Sequence, residues 1–220
     1  VLYENGCGVR INQQIAAAYY EIAAKGGHAE GAVRLAMIYI DGEALRQDYA
    51  KARALLDGPA KAGHPMANYF LGVIASRGDE VKPAKPDLAA AMKYFRASAD
   101  GGLAQAQFIV GQAAAEGTDL PKDGKLAKVM LLRAAAQGHG WAQAILGRLL
   151  ADNELPDADP VEAVTWLSIA KRDNADAALL VALCDANLKK LQPKLSPAQL
   201  KQAQDRIAAY QPKLEWEEKI

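Results

Sequence analysis

Residues 12–42 read NQQIAAAYYEIAAKGGHAEGAVRLAMIYIDG and residues 123–153 read DGKLAKVMLLRAAAQGHGWAQAILGRLLADN, and these two stretches decide the fold. Both begin with a residue that caps helix starts, Asn12 or Asp123, and continue in an alanine-rich run with helical spacing. Both carry Gly-His near the middle and close on glycine or asparagine, the residues that best tolerate a left-handed backbone. Each stretch therefore predicts two helices joined by a tight turn.

The same unit recurs along most of the chain. Its capping residues are separated by 36, 39, 36 and 36 residues, and they are Asn12, Asp48, Asp87, Asp123 and Asp159. From here each pair is counted from the helix that follows the Gly-His turn, and its first helix closes on residues that step by 36, 36, 39 and 36, namely Gly6, Gly42, Gly78, Gly117 and Asn153. The longer step comes from three extra residues between Gly78 and Asp87. The chain is thus predicted to be all-α, a right-handed solenoid of antiparallel helix pairs with a period of about 36 residues.

Glycines inside the helices predict close packing between the two helices of a pair. Gly72, Gly111 and Gly147 share one position in the first helix of successive units, where glycine costs about 0.5–1 kcal/mol against alanine. We expect the partner helix to approach too closely there for a methyl group. In one second helix, Gly58-Pro59 interrupts the pattern, and we expect a kink or an early end.

Composition excludes several classes of function. The 220 residues are 51% apolar, and 26 basic residues balance 26 acidic ones. A balanced charge gives no basic field for nucleic acid or an anionic membrane, so we expect no nucleic-acid partner. No run of 18 apolar residues is present, so membrane insertion is not expected. The two cysteines, Cys7 and Cys184, are too few for a disulfide framework and are expected to be separate thiols.

The usual signatures of catalysis and metal binding are missing from the sequence. His28, His64 and His139 share one repeat position, which places them along a ridge and not around a metal ion. Neither a phosphate-binding loop nor a G-x-S-x-G elbow occurs. We therefore expect no catalytic residues, no metal, no cofactor and no enzymatic activity.

The repeat resembles the Sel1-like repeat, a relative of the tetratricopeptide repeat. The resemblance rests on Leu71-Gly72 followed by Gly78 in a first helix, and on Tyr19-Tyr20 followed by Gly27-His28 in a second helix. It covers residues 1–173, as a partial unit at 1–27 and units near 28–63, 64–102, 103–138 and 139–173. Residues 174–210 are predicted to form C-terminal capping helices. The charged residues 211–220 are either a flexible tail or a segment that docks Trp216 on the last helices.

The resemblance implies a bacterial protein–protein interaction scaffold, adaptor or regulator, with roles in signalling or the cell envelope. In such solenoids the first helices line a concave face that holds a partner protein or peptide. We expect a monomer. Because many members of the family are exported, the resemblance implies a periplasmic or secreted protein, and we expect a further segment upstream of Val1.

Partner-binding residues are expected where the first helices differ between units. The candidates are Trp141, Arg148, Arg34, Tyr69, Phe70 and Gln112. Trp141 leads them because Trp, Tyr and Arg dominate interface hot spots, whereas core packing explains Phe70 equally well. Two alternatives stay open: an accessory or targeting domain of a larger enzyme, and a protein that binds glycans or peptidoglycan fragments.

Overall fold

A computed structural model describes residues 12–78 and 85–216 of the chain. Regular structure in these residues is helical throughout. They divide into two compact units, unit 1 with residues 12–78 and 85–101, and unit 2 with residues 102–216. The predictions for Gly6 and Cys7, and for most of the inserted loop, lie outside the described residues.

Unit 1 holds five helices of 13 residues, each packed against the next along the chain. They are α1 (Gln13–Lys25), α2 (Ala29–Asp41), α3 (Tyr49–Lys61), α4 (Pro65–Arg77) and α5 (Leu88–Asp100). The first helices α2 and α4 also contact each other across α3, which is the stacking that a solenoid requires.

Unit 2 continues the pairing and adds the C-terminal helices. Its elements are α6 (Ala104–Glu116), α7 (Gly124–Ala136), α8 (Gly140–Ala151), α9 (Pro160–Asp173), α10 (Ala178–Leu191), a 3₁₀ turn (Gln192–Lys194) and α11 (Pro197–Ala209). Both α10 and α11 pack on α9. The Ser196 hydroxyl and the Gln199 side chain form the reciprocal capping box that opens α11.

The predicted capping residues start the second helix of every described pair. Each of the five side chains accepts a backbone N–H from the first turn of its helix, as the Asp48 carboxylate does from Lys51 at 2.9 Å. The turns before the first helices use glycine in a left-handed backbone, with φ of 83°, 84°, 96° and 91° at Gly27, Gly63, Gly102 and Gly138. These local signals set the ends of the helices.

The helical glycines let the two helices of a pair come close together. A Cβ built on Gly72 would lie 2.7 Å from the Phe95 ring, and one on Gly147 would lie 2.6 Å from Leu167 Cγ. Gly111 stands in the same relation to Leu131, at 2.9 Å. The predicted close approach of the partner helix is therefore confirmed.

The expected early end of α3 at Gly58-Pro59 is wrong, because the helix continues to Lys61. Burial of Ala52 and Leu56 holds α3 in the unit 1 core. Its last turn closes through a hydrogen bond from the His64 N–H to the Pro59 carbonyl at 3.0 Å. Packing thus outweighs the cost of about 3 kcal/mol for proline inside a helix.

No helix in residues 12–78 or 85–216 is both long and apolar enough to cross a membrane.

Candidate functional site

Three of the predicted partner-binding residues lie in unit 1. Arg34 on α2 is mostly buried and pairs with Glu30 at 2.8 Å. Tyr69 and Phe70 on α4 are half-buried, with their rings 5.3 Å apart, and the Tyr69 ring also lies 5.8 Å from Phe95. Phe70 packs against the unit 1 core, so its role in the core is evident.

The other three lie in unit 2. Trp141 is on the first turn of α8 and is 41% exposed, as expected for a contact residue. Arg148 bonds Glu154 at 3.1 Å, which ties α8 to the loop that follows it. Gln112 on α6 donates to Glu116 at 2.9 Å. The six residues are thus divided three and three, and their joint role in binding stays a prediction.

An open groove of about 740 Å³ runs between α1, α2 and α3 in unit 1. We call it the α1–α3 groove. Leu35, Tyr39, Leu55 and Pro59 supply large apolar surface. The remaining positions are mainly small or charged, and they are Glu21, Ala24, Lys25, Gly27, His28, Ala29, Ala32, Lys51, Ala54, Gly58 and Ala62. Apolar surface with a few polar groups at the edge is typical of ligand-binding sites in proteins.

Charged side chains give the α1–α3 groove its polar character. Lys25 pairs with Glu21 at 2.8 Å, and Lys51 pairs with Asp48 at 3.4 Å. These pairs are exposed, so they contribute little to stability and exchange readily for other partners.

In unit 2, residues 210–216 form a C-terminal segment that lies along α7 and its turns. The Tyr210 hydroxyl donates to the Ala135 carbonyl at 2.9 Å and accepts from Gln143 Nε2 at 3.0 Å. The Lys213 N–H donates to the Ala136 carbonyl at 3.0 Å. The segment therefore bonds to carbonyls at the end of α7, of which the Ala135 carbonyl also accepts the Gly138 N–H at 3.0 Å.

Glu215 fixes the far end of the C-terminal segment. Its carboxylate accepts from Arg133 Nε at 3.0 Å and from Gln107 Nε2 at 2.9 Å, while its N–H donates to Gln137 Oε1 at 3.0 Å. The hydrogen bond from Arg133 is the main reason that the pKa of Glu215 lies below its usual range. A Cβ on Gly102 would lie 3.1 Å from Glu215 Cβ, so the segment passes close to that turn.

Residues 211–216 are the described part of the charged C-terminal stretch 211–220. These residues are held against α7 and the turn before α6, and Trp216 lies half-buried beside Gly102. The described contact of Trp216 is therefore with the turn before α6, whereas the docking considered from the sequence was on the last helices.

Side chains suited to metal binding are not clustered in the described ranges. No cluster of three His, Cys, Asp or Glu side chains suited to a metal ion occurs within residues 12–78 and 85–216. The buried Cys184 thiol has a pKa raised to about 11, chiefly by burial, which disfavours the reactive thiolate. His139 serves the fold, since its Nδ1 accepts the Ala142 N–H at 3.1 Å at the start of α8.

Comparison with known proteins accounts for this architecture. The family model of the Sel1 repeat matches residues 1–28, 29–57, 65–103, 104–139 and 142–174. This chain belongs to the Sel1 repeat family.

Two curated relatives carry the name exopolysaccharide production negative regulator. The protein of Rhizobium leguminosarum bv. viciae is 28% identical over 161 residues, which are 68% of this chain and 58% of the relative. The protein of Rhizobium meliloti (strain 1021) is 28% identical over 142 residues, which are 60% of this chain and 53% of the relative. The matched part is thus little more than half the length of either relative.

Solved structures of Sel1 repeat proteins share the fold. A Sel1 repeat protein from Oxalobacter formigenes aligns with 79% of this chain and 70% of its own, with a TM-score of 0.64 and 24% identity. A protective antigen of uropathogenic Escherichia coli strains with an SLR fold aligns with 95% of this chain and 58% of its own, with a TM-score of 0.50 and 22% identity. At these identities the likeness concerns the fold alone.

Sequence reasoning missed the α1–α3 groove, which contains none of the six predicted residues. A signal for it is present in the Sel1 repeat register. Ala32 stands where the other described first helices α4, α6 and α8 carry Asn68, Gln107 and Gln143. Gly58 stands where α1, α5, α7 and α9 carry Ile22, Ala97, Arg133 and Ile169. Because Ala32 and Gly58 have smaller side chains than most of these residues, the space between α2 and α3 is open.

Proposed function

We propose that this Sel1 repeat chain is a non-catalytic scaffold that binds a partner protein and thereby regulates it. The observation that carries the proposal is the open α1–α3 groove, which presents apolar surface between three helices of unit 1. A solenoid offers such surfaces without the converging acids, bases or metal ligands that catalysis requires. The exposed Trp141 adds a second candidate contact on unit 2.

The names of the two relatives support a regulatory role. Both are called negative regulators of exopolysaccharide production. We extend this to the present chain as part of the proposal. Deleting its gene in the source bacterium is expected to raise exopolysaccharide output, and wild-type copies should restore the lower level. Unchanged output would contradict this part of the proposal without touching protein binding.

Affinity capture from the source bacterium tests the binding role. Ala54→Arg places a long charged side chain in the α1–α3 groove from an exposed position, and Trp141→Ala removes the exposed indole. Leu179→Ala is the matched control, because Leu179 is an apolar side chain 81% exposed on α10. We expect a protein enriched by wild type and by the control, and lost with one or both of the other variants.

When circular dichroism shows equal helicity in all variants, loss of capture can be assigned to the substituted surface. Loss with Trp141→Ala alone would support binding through unit 2 and not through the groove. Absence of any enriched protein, or equal capture by every variant, would contradict the proposed function.

A further inference from the structure

The repeat register relates the α1–α3 groove to an occupied site in unit 2. Helices α7, α8 and α9 stand in the same order as α1, α2 and α3, with His139 at the position of His28. Between α8 and α9 the occupant is Tyr210, whose ring lies 5.7 Å from the Trp166 ring. Trp166 holds the repeat position of Leu55 in the groove.

The correspondence extends over eight groove positions. In unit 2 the matching residues bond, contact or surround the C-terminal segment at Tyr210, Pro212 and Lys213. The groove residues, in chain order, are Ala24, Lys25, Gly27, Ala32, Lys51, Ala54, Leu55 and Gly58, and their counterparts are Ala135, Ala136, Gly138, Gln143, Glu162, Thr165, Trp166 and Ile169. The same register is thus filled by an aromatic residue and an extended segment in unit 2, and is open in unit 1.

The groove has more room than its counterpart. Ala32, Ala54 and Gly58 replace Gln143, Thr165 and Ile169. Beside Tyr210 a depression of about 330 Å³ remains, against about 740 Å³ in the groove. An aromatic side chain therefore fits into the groove at the place that corresponds to Tyr210.

The charges differ in a way that selects the occupant. Lys51 replaces Glu162, and Lys25 replaces Ala136, whose carbonyl accepts the N–H of Lys213. A residue in the place of Lys213 would lie next to Lys25. Lys25 is paired with Glu21 at 2.8 Å, and because this pair is exposed, an acidic side chain of the occupant competes for Lys25, whereas a lysine is repelled by it.

We infer that the α1–α3 groove binds an extended segment of a partner protein that carries an aromatic residue followed three positions later by aspartate or glutamate. The segment runs as residues 210–216 run on unit 2, with its aromatic ring against Leu55. The Lys25 carbonyl at the end of α1 takes the place of the Ala136 carbonyl and accepts a backbone N–H of the segment. The inference rests on the proposed protein-binding function and names the chemistry of the partner.

Synthetic peptides based on residues 209–216 provide the probe. One peptide carries Lys213→Glu, the second has the native sequence, and the third combines Lys213→Glu with Tyr210→Ala. Fluorescence anisotropy with the 220-residue chain should show the first binding about fivefold more tightly than the second and at least tenfold more tightly than the third. Tighter binding of the native peptide would instead favour the C-terminal segment of a second copy as occupant, and would overturn the inference.

Variants of the protein locate the binding. A Cβ on Gly58 meets nothing within 4 Å, so Gly58→Trp fills the groove from the exposed face of α3, while Leu179→Trp places the same side chain at an exposed position of α10, outside the groove. We expect Gly58→Trp to weaken the binding of the Lys213→Glu peptide at least tenfold and Leu179→Trp to leave its affinity unchanged. Equal affinity of both variants would overturn the inference.

Charge reversal gives an independent readout. The double variant Lys25→Glu, Lys51→Glu should reverse the preference, so that the native peptide binds more tightly than the Lys213→Glu peptide. An unchanged preference would contradict the inference.

A photoreactive phenylalanine in the place of Tyr210 should cross-link to α1–α3, and cross-links to α7–α9 would show exchange with the chain's own segment instead. If the peptides fail while affinity capture from cells still finds a partner, the inference falls and the proposed function stands.

Discussion

At the scale of single residues, the helical glycines divide into two physical classes. A Cβ at Gly147 would approach Leu167 Cγ to 2.6 Å and the Ala163 carbonyl oxygen to 3.1 Å, so neither neighbour has room to move away. Gly58 also stands inside a helix, but its Cβ would enter open space. Alanine is favoured over glycine in both helices by propensity, and packing decides the net effect.

Substituting alanine at the two positions should therefore change stability in opposite directions. Gly147→Ala is expected to lower the free energy of unfolding by about 1–3 kcal/mol through overpacking. Gly58→Ala, the matched control, is expected to raise it by about 0.5–1 kcal/mol. Urea unfolding followed by circular dichroism measures both. A stabilising Gly147→Ala would contradict the close approach of α8 and α9.

A second prediction at this scale concerns the pH dependence of the C-terminal segment. The pKa of Glu215 is lowered, first by the hydrogen bond from Arg133, so the docked segment favours the charged carboxylate. Docking is then complete above the ordinary glutamate pKa of about 4.3 and is lost as pH falls through the lower pKa of the folded state. The N–H groups of Lys213 and Glu215, which donate to α7 and Gln137, should lose hydrogen-exchange protection in that acid range.

Glu215→Gln supplies the control for the C-terminal segment. Its protection factors, corrected for the intrinsic exchange rate at each pH, should be lower than wild type at neutral pH and should change less in acid. Wild-type protection that is independent of pH down to about 3 would show that Glu215 does not hold the segment.

At the scale of helices, the start of α8 depends on a neutral histidine. His139 Nδ1 accepts the Ala142 N–H at 3.1 Å, and Nε2 lies 2.8 Å from Gln105 Oε1, so the neutral form with the proton on Nε2 satisfies both contacts. Burial lowers the pKa of His139 below the ordinary histidine value of about 6.5. Since the folded chain binds this proton less tightly than the unfolded chain, protonation favours unfolding.

The stability of the chain should accordingly fall as pH decreases from about 7.5 through 6.5, and level off below the folded pKa of His139. The loss attributable to His139 is expected to be about 1 kcal/mol, the usual value of an N-cap hydrogen bond. His139→Asn keeps a capping side chain that does not titrate, and it should show a smaller decrease over the same range. Parallel curves for the two proteins would contradict the role of His139.

Helix ends could be predicted from the sequence because their causes are local. Asn12 and the four repeated aspartates each accept a backbone N–H only two or three residues away. Pro59 shows where local reasoning fails, since its unfavourable effect on α3 is offset by burial of Leu56 and Ala52 against other helices. Propensity alone does not contain that packing term.

The candidate site was harder to predict than the helix ends, because it depends on small side chains and on residues that are far apart in the sequence. Trp141 is a large side chain at a variable position, and such a residue is visible in the sequence. The α1–α3 groove consists of missing side chains at Ala32 and Gly58, which become meaningful only when α2 and α3 are placed side by side. In the C-terminal segment, Tyr210 bonds to Ala135, 75 residues earlier in the chain, and no periodic pattern in the sequence indicates this contact.

At the scale of the whole molecule, the Sel1 repeats supply two units with repeated sites in one register. In unit 2 the chain's own Tyr210 occupies such a site, and in unit 1 the corresponding groove is open. A scaffold of this kind serves binding, because its helices hold surface positions rigidly and leave the side chains at those positions to differ between repeats. The central claim of the proposed function is therefore that the chain binds another protein.

Site-specific photo-cross-linking in the source bacterium tests that claim most directly. A photoreactive phenylalanine is placed at position 54 in the α1–α3 groove, at position 141 on α8, and, as a control, at the exposed position 201 on α11. The account predicts a discrete adduct with one partner protein from position 54 or 141 and none from position 201. No adduct at either test position, or the same adducts from all three, would contradict it.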